Sequence, residues 1–270
     1  MIDAIVAGHL CVDIIPSISE ASAASESFLA PGRLTEVGPL TLSMGGCVSN
    51  TGLALHTLGL DVRFVARLGD DRVGGLTRDI LADNDPRLVE GLSVAPGEPS
   101  SYSLVINPPG VDRTFLHCPG SNDTFGPGDV PADLLAQARL FHFGYPPLMR
   151  RMYEGDGREL VKVLRLAKSA GMTTSLDLAM PDPTKPSGRA RWRMILQASL
   201  PLVDLFVPSA EELLFMLRRA RYDELSQSVG LGGMLDALSA RDLSALADEA
   251  IAYGAKIMLL KLGHRGLYLR

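Results

Sequence analysis

The chain has 270 residues, 46% of them hydrophobic, with a formal net charge of −5 and a pI near 5.6. That length and apolar content suit one large α/β domain with a substantial core, and the mild acidity excludes the basic footprint that nucleic acid requires. Three cysteines, Cys11, Cys47 and Cys118, lie far apart and form neither a disulfide framework nor a zinc ribbon, which points to the cytoplasm.

The opening run "MIDAIVAGHLCVDII" has Asp3 and Asp13 at its ends and no basic segment before it. It is therefore read as neither a signal peptide nor a membrane span, and no later run reaches the roughly 18 apolar residues that a span needs. Strands are expected at 4–10, 62–68, 140–144, 173–179, 204–208 and 256–262, from short β-type runs. Helical patterns fall between them near 47–58, 73–83, 157–170, 189–198, 209–220 and 241–253. Alternation of this kind is that of βαβ units, so a doubly wound, mainly parallel sheet is expected. Gly59, Gly171 and Gly254 each end a helix before the next strand.

Two regions interrupt the rhythm, within 12–44 and 100–118. In "SYSLVINPPGVDRTFLH" the segment Pro108-Pro109-Gly110 turns one strand back on another, and an antiparallel flap of this sort reads as a lid. Residues 19–33, "SEASAASESFLAPGR", are small and polar and are expected to be a mobile connection. The arginine-rich stretches "LMRRMY", "RARWRM" and "LRRARY" interleave charge with apolar residues and read as solvated helix faces. The five histidines offer no i, i+4 ligand pair, and His117 next to Cys118 is too isolated to suggest zinc. His142, between Phe141 and Phe143, reads as a buried strand residue. The final "GLYLR", ending at Arg270, reads as a strand with no partner or cap after it, an exposed sheet edge.

Gly45 and Gly46 stand where a strand hands over to a helix, and their spacing fits neither the dinucleotide fingerprint nor the Walker loop. Without Cβ atoms they allow close approach to free backbone N–H groups at the helix start. Asp13 follows the first strand, and Asn50 lies one helical turn beyond Gly46. A carboxylate, an amide and backbone donors together suit a polyhydroxylated ligand.

From Gly45 to Gly75 the sequence "GGCVSNTGLALHTLGLDVRFVARLGDDRVGG" resembles the N-terminal signature of the ribokinase/PfkB family of carbohydrate and nucleoside kinases. The order of later landmarks is similar too: "PGSND" (119–123), "SLDLA" (175–179), "VPSAEE" (207–212) and "KLGHRG" (261–266). The resemblance implies a ribokinase-like α/β fold with a small antiparallel β lid, a single domain over 1–270. It also implies ATP and Mg²⁺ as cofactors, a small-molecule sugar substrate and a homodimer formed through the lid, while charge and hydropathy argue for no nucleic acid and no membrane partner.

By the same resemblance, Asp13, Gly45, Gly46 and Asn50 contact sugar hydroxyls. Ser209, Lys261, Gly263 and Gly266 belong to the nucleotide side, and Glu212 organises the metal. Ser209 and Glu212 also suit a helix N-cap and its first turn, and Asp177 stands at a strand end or in a turn. Cys47 occupies a position where ribose-binding members often carry lysine, which leaves the sugar open. The family's Gly-Ala-Gly-Asp segment, whose aspartate is the catalytic base, does not occur among these residues, so the base is expected beyond Arg270. The domain is accordingly expected to be C-terminally incomplete and inactive as a kinase by itself. Sugar phosphorylation is the leading reading, beside a nucleoside or vitamin kinase of the same fold and a sugar-binding relative without catalysis.

Overall fold

A computed structural model describes every residue except Ser27, which falls within the connection expected at 19–33 and so lies outside the described residues. Thirteen strands are present among the described residues: β1 (Ile2–Gly8), β2 (Cys11–Pro16), β3 (Leu40–Gly45), β4 (Val62–Val65), β5 (Arg67–Gly69), β6 (Ser93–Ala95), β7 (Tyr102–Ile106), β8 (Thr114–Cys118), β9 (Ala138–Gly144), β10 (Thr173–Asp177), β11 (Leu205–Phe206), β12 (Ile257–Lys261) and β13 (Leu267–Leu269). The main sheet has seven of them, in the order β13-β12-β11-β10-β9-β1-β4. All its pairings are parallel except that of β13 on β12. The six expected strands supply the whole parallel part.

Both faces of this sheet are covered, as a parallel sheet requires. On one face Ile5, Ala7, Phe141, Phe143, Leu176 and Phe206 join the larger core with Leu160, Leu164 and Trp192. On the other, Val6 and Phe64 pack with Val48, Leu10 and Leu81. Alternate residues of β1 therefore serve different cores, which is the period-2 rule applied to a strand buried on both sides. Gly59, Gly171 and Gly254 take positive φ values of 89°, 78° and 115° beyond their helices, as expected of C-terminal glycines.

Three expectations need correction. The run 62–68 is not one strand: the chain leaves the main sheet after Val65, and β5 pairs with β6 in a separate parallel pair. The departure carries Arg67 to its polar partners, with Nη1 2.8 Å from Asp129 Oδ1 and Nη2 3.2 Å from Glu98 Oε1. The expected helix at 209–220 is instead Ala210–Leu217 followed by a long helix, Arg219–Ala237, broken at Gly230 (φ 70°). Three glycines at 230, 232 and 233 and a polar sequence hide the apolar stripe by which such a helix would be read. The closing strand is an edge, as expected, yet it is not without a partner. The Arg270 N–H donates to the Met258 carbonyl at 2.8 Å and the Arg270 carbonyl accepts from the Met258 N–H at 2.8 Å, which closes the β12-β13 hairpin.

The remaining four strands make a second sheet in the order β3-β2-β7-β8. Its outer pairs are antiparallel, and the turn through Pro108–Gly110 joins β7 to β8 as expected. The central pair, β2 with β7, is parallel, so the flap is two antiparallel pairs joined side by side. Register sets its chemistry. Ser43, Asp13, Ser103 and His117 are successive cross-strand partners and share one face, while Leu42, Ile14, Leu104 and Leu116 form a row on the other.

Candidate active site

The parallel strands run in the spatial order β4-β1-β9-β10-β11-β12, so the order in which the chain adds strands reverses between β1 and β9. Ligands of open α/β sheets bind at such a switch point, outside the carboxyl ends of the strands. Gly8 and Gly144 are in register there, and a Cβ on Gly8, whose φ is 118°, would meet the Gly144 backbone. The chain then leaves β9 through Tyr145, a non-glycine residue in left-handed conformation (φ 64°), followed by Pro146 and Pro147. Proline pushes the residue before it toward extended backbone, so the left-handed Tyr145 is imposed by the fold and not by the "GYPP" sequence.

The two glycines that open the helix Cys47–Thr57 have different reasons. A Cβ on Gly45 would lie 2.5 Å from Asp13 Oδ2 and 2.6 Å from Oδ1. Gly46 has φ 88°, and its Cβ would be 2.5 Å from the His9 carbonyl oxygen. Absence of side chains thus lets the Asp13 carboxylate lie against the β3 backbone at the mouth of the switch point. Asn50 is exposed on the same helix and bonds the Tyr145 hydroxyl, which burial holds up at about 12. Asp13, Gly45, Gly46 and Asn50 are therefore gathered in one place.

Cys47 is fully buried beneath them, with Sγ 3.2 Å from His142 Nε2 and packed against Gly144. His142 in turn bonds Ser175 Oγ through Nδ1 at 2.9 Å. Burial, helped by the Lys261 charge, lowers the His142 pKa to about 4, so the imidazole is neutral. His142 is a buried strand residue as expected, but the polar contacts it makes link the β1 side of the site to β10.

At the next strand ends, Lys261 Nζ lies 2.6 Å from Asp177 Oδ1, which also accepts from the Leu178 N–H at 2.8 Å. Lys261 ends β12 and pairs with Ser209, which caps the helix Ala210–Leu217. Ser209 Oγ accepts from the Glu212 N–H at 3.2 Å, and Glu212 Oε2 accepts from the Ser209 N–H at 2.7 Å, a complete capping box. Burial raises both the Glu212 and Asp177 carboxyls above their ordinary range, against the pull of Lys261. Ser209, Glu211 and Glu212 line a cavity of about 290 Å³ with Met180, Tyr222 and Met234. Gly263 and Gly266 form the exposed turn after β12, with φ values of 50° and 84°. Arg270, beyond which the base is expected, takes no part in this group. Its guanidinium is half-exposed on the sheet edge, with Nη2 2.7 Å from Asp248 Oδ1.

Sequence reasoning missed His9 and His117. His9 is buried directly after β1, and its Nε2 lies 3.2 Å from Nε2 of His117 on β8. The absence of a short-range histidine pair is correct as sequence, yet folding gathers His9, Cys11 and His117 with ligand atoms within 4.8 Å of one another.

A probable fructokinase-4 of Arabidopsis thaliana is 26% identical to this chain over 219 residues, 80% of this chain and 62% of that protein. A fructokinase-2 of Solanum lycopersicum is 27% identical over 221 residues, 81% of this chain and 62% of that protein. The chain thus spans 62% of the length of these relatives. Among solved structures, a fructokinase with bound ATP from Xylella fastidiosa superposes with a TM-score of 0.68 at 20% identity, covering 96% of this chain and 72% of that one. Arabidopsis thaliana ribokinase complexed with ribose and ATP gives 0.69 at 18% identity, covering 100% and 75%. These likenesses establish the ribokinase-like fold. The model of the pfkB family carbohydrate kinases matches residues 8–270, and the chain belongs to that family.

Proposed function

We propose that this chain serves the ATP-dependent phosphorylation of a sugar hydroxyl. The observation that carries the reading is the arrangement along one sheet edge. A polar group of Asp13, Gly45, Gly46 and Asn50 stands at the switch point, and the Asp177–Lys261 pair with Glu212 lies two to four strands away. The first group presents a carboxylate, an amide and glycine backbone, which suits hydroxyls and leaves unpaired groups when a poorer ligand binds. Lys261 supplies the cation for phosphate oxygens, and Ser209, Gly263 and Gly266 face the nucleotide. The fructokinase names of the relatives make a ketohexose the first sugar to test.

Magnesium fits the second group. Two carboxyls raised above their ordinary range share a single ammonium, and a hard cation with oxygen preference would relieve them. Glu212 would hold it, and the ion would neutralise charge on the transferring phosphoryl group. Asp177 and Lys261 position one another, and the β2-β3-β7-β8 sheet excludes water as a lid.

The test is a coupled ADP-release assay across a sugar panel, comparing residues 1–270 with a version extended beyond Arg270 through a Gly-Ala-Gly-Asp segment. Turnover is expected from the extended protein alone, because the resemblance assigns the base to that segment. Ordinary turnover by residues 1–270 would place the base within them, with Asp177 the first suspect. No sugar-dependent ADP release from either would contradict the kinase reading.

We propose further that two copies pair through the lid. Its apolar row leaves Leu42 40% and Leu116 57% exposed, with Val111 alongside, and the face continues into a groove of about 850 Å³ lined by Leu104, Ile106, Phe28 and Leu29. Light scattering should give twice the 28.9 kDa chain mass, and Leu116→Glu should return the monomer. A wild-type monomer at all concentrations would contradict it. A cytoplasmic location agrees with three free cysteines, and none of the described helices is long and apolar enough to cross a membrane.

A further inference from the structure

His9, Cys11 and His117 lie beside the sugar-binding group, and none of the three belongs to the sugar-side or nucleotide-side set. His9 is 2% exposed, and its Nδ1 is buried with no hydrogen-bond partner among the described residues. Its other nitrogen faces only the imidazole of His117, at 3.2 Å. Two imidazoles meeting nitrogen to nitrogen satisfy each other through one proton at most, so the two Nε2 atoms hold a lone pair in common reach. Burial, with His117 adding to it, lowers the His9 pKa to about 3, so no second proton is carried there.

The geometry around this pair is that of a ligand set. Ser103 Oγ lies 3.0 Å from His117 Nδ1 and can accept its proton, which turns the lone pair of Nε2 toward His9. Tetrahedral coordination at ordinary metal–nitrogen distances separates two ligand nitrogens by about 3.3 Å, close to the separation seen here. Cys11 adds its sulfur to the same cluster, with the ligand atoms of all three residues within 4.8 Å of one another. Asp13 Oδ1, 3.5 Å from Cys11 Sγ, offers a fourth donor.

We propose that His9, Cys11 and His117 form a binding site for a thiophilic divalent transition-metal ion of the zinc class, with Asp13 or water completing four ligands. Two imidazoles and a thiolate are a borderline-to-soft donor set, unlike the hard oxygen set at Glu212, so magnesium does not compete for it. Binding displaces one proton, from the Cys11 thiol. Both imidazoles bind neutral: the proton that His9 Nε2 shares with His117 moves to His9 Nδ1, which frees both Nε2 lone pairs for the ion. Burial pushes the Cys11 thiol up to about 12, and a metal ion reverses that preference by coordinating the thiolate. Because His117 belongs to β8 while His9 and Cys11 flank the β1–β2 junction, the ion ties the lid hairpin to the switch point.

The test is anaerobic titration of the intact 270-residue chain with Co²⁺, a coloured zinc surrogate. One equivalent is expected to produce visible bands of a four-coordinate ion and a near-ultraviolet thiolate-to-cobalt band, both abolished by added Zn²⁺. His117 is exposed, so His117→Ala should melt like the parent yet bind at least about a hundredfold more weakly, while Ser103→Ala should weaken binding about tenfold. Cys11→Ser should lose the thiolate band. Unchanged cobalt affinity in a folded His117→Ala variant overturns the proposal. So does a wild-type spectrum with no thiolate band, or binding that is lost on replacing His264, which pairs with Asp236 on the surface at 2.9 Å.

Discussion

Asp13→Ala is expected to weaken sugar binding about a hundredfold and to leave the fold intact, since a hydrogen bond to a charged group contributes about 1.5–3 kcal/mol. The carboxylate stands on the polar face of the lid sheet, and its one hydrogen-bond donor among the described residues is the Cys11 thiol, so most of its accepting capacity is left for ligand. Gly45→Ala should produce a similar loss without touching the charge. Its Cβ would lie 2.5 Å from Asp13 Oδ2, and the carboxylate must move aside. Calorimetry with the preferred sugar measures both variants. Parental affinity in both would remove Asp13 from the sugar contacts, and parental affinity in Gly45→Ala alone would show that the carboxylate has room to shift.

Lowering the pH from 7 to 5 is expected to cost the fold about 2 kcal/mol through His142 alone. Its imidazole is buried among Cys47, Ser175 and the neighbouring Lys261 charge, and its folded pKa is lowered from 6.5 to about 4. A depressed folded pKa means that the unfolded chain takes up the proton first. The stabilisation is complete above pH 6.5 and declines by about 1.4 kcal/mol per pH unit as the pH falls toward 4. Asp177 and Glu212 act in the opposite sense, because raised carboxyls gain protons earlier in the folded state. The contribution of His142 is therefore read as the difference between the parent and His142→Gln in urea unfolding at the two pH values. The variant should show the flatter dependence, and equal slopes would mean that His142 takes up its proton as readily in the fold as in the unfolded chain.

Much of this architecture can be read from the chain because the parallel strands are local objects. Each of the six is a short β-type run bounded by turn residues, and each lies inside the main sheet where alternation with helices predicts it. The break after Val65 is not legible, because Arg67 finds Asp129 a further 62 positions along the chain. Gly45 and Gly46 are legible as a strand-to-helix handover that needs close approach. What approaches them in the fold is the chain itself, through Asp13 and His9. His9 and His117 are 108 positions apart, and only the register of β2, β7 and β8 brings the second over the first. Cys47 is similar: in the sequence it stands out only for following the glycines, and the contact that buries it comes from Gly144 and His142 on β9.

The proposed sugar site is the switch-point group of Asp13, Gly45, Gly46 and Asn50. The direct measurement is thermal unfolding of the 270-residue chain against a panel of pentoses, hexoses, nucleosides and hydroxylated vitamins. A sugar at about 100 times its dissociation constant should add roughly 2.7 kcal/mol of apparent stability and give the largest shift in the panel. A larger shift from a nucleoside or a vitamin, with no response to any sugar, would assign the group to that other ligand instead.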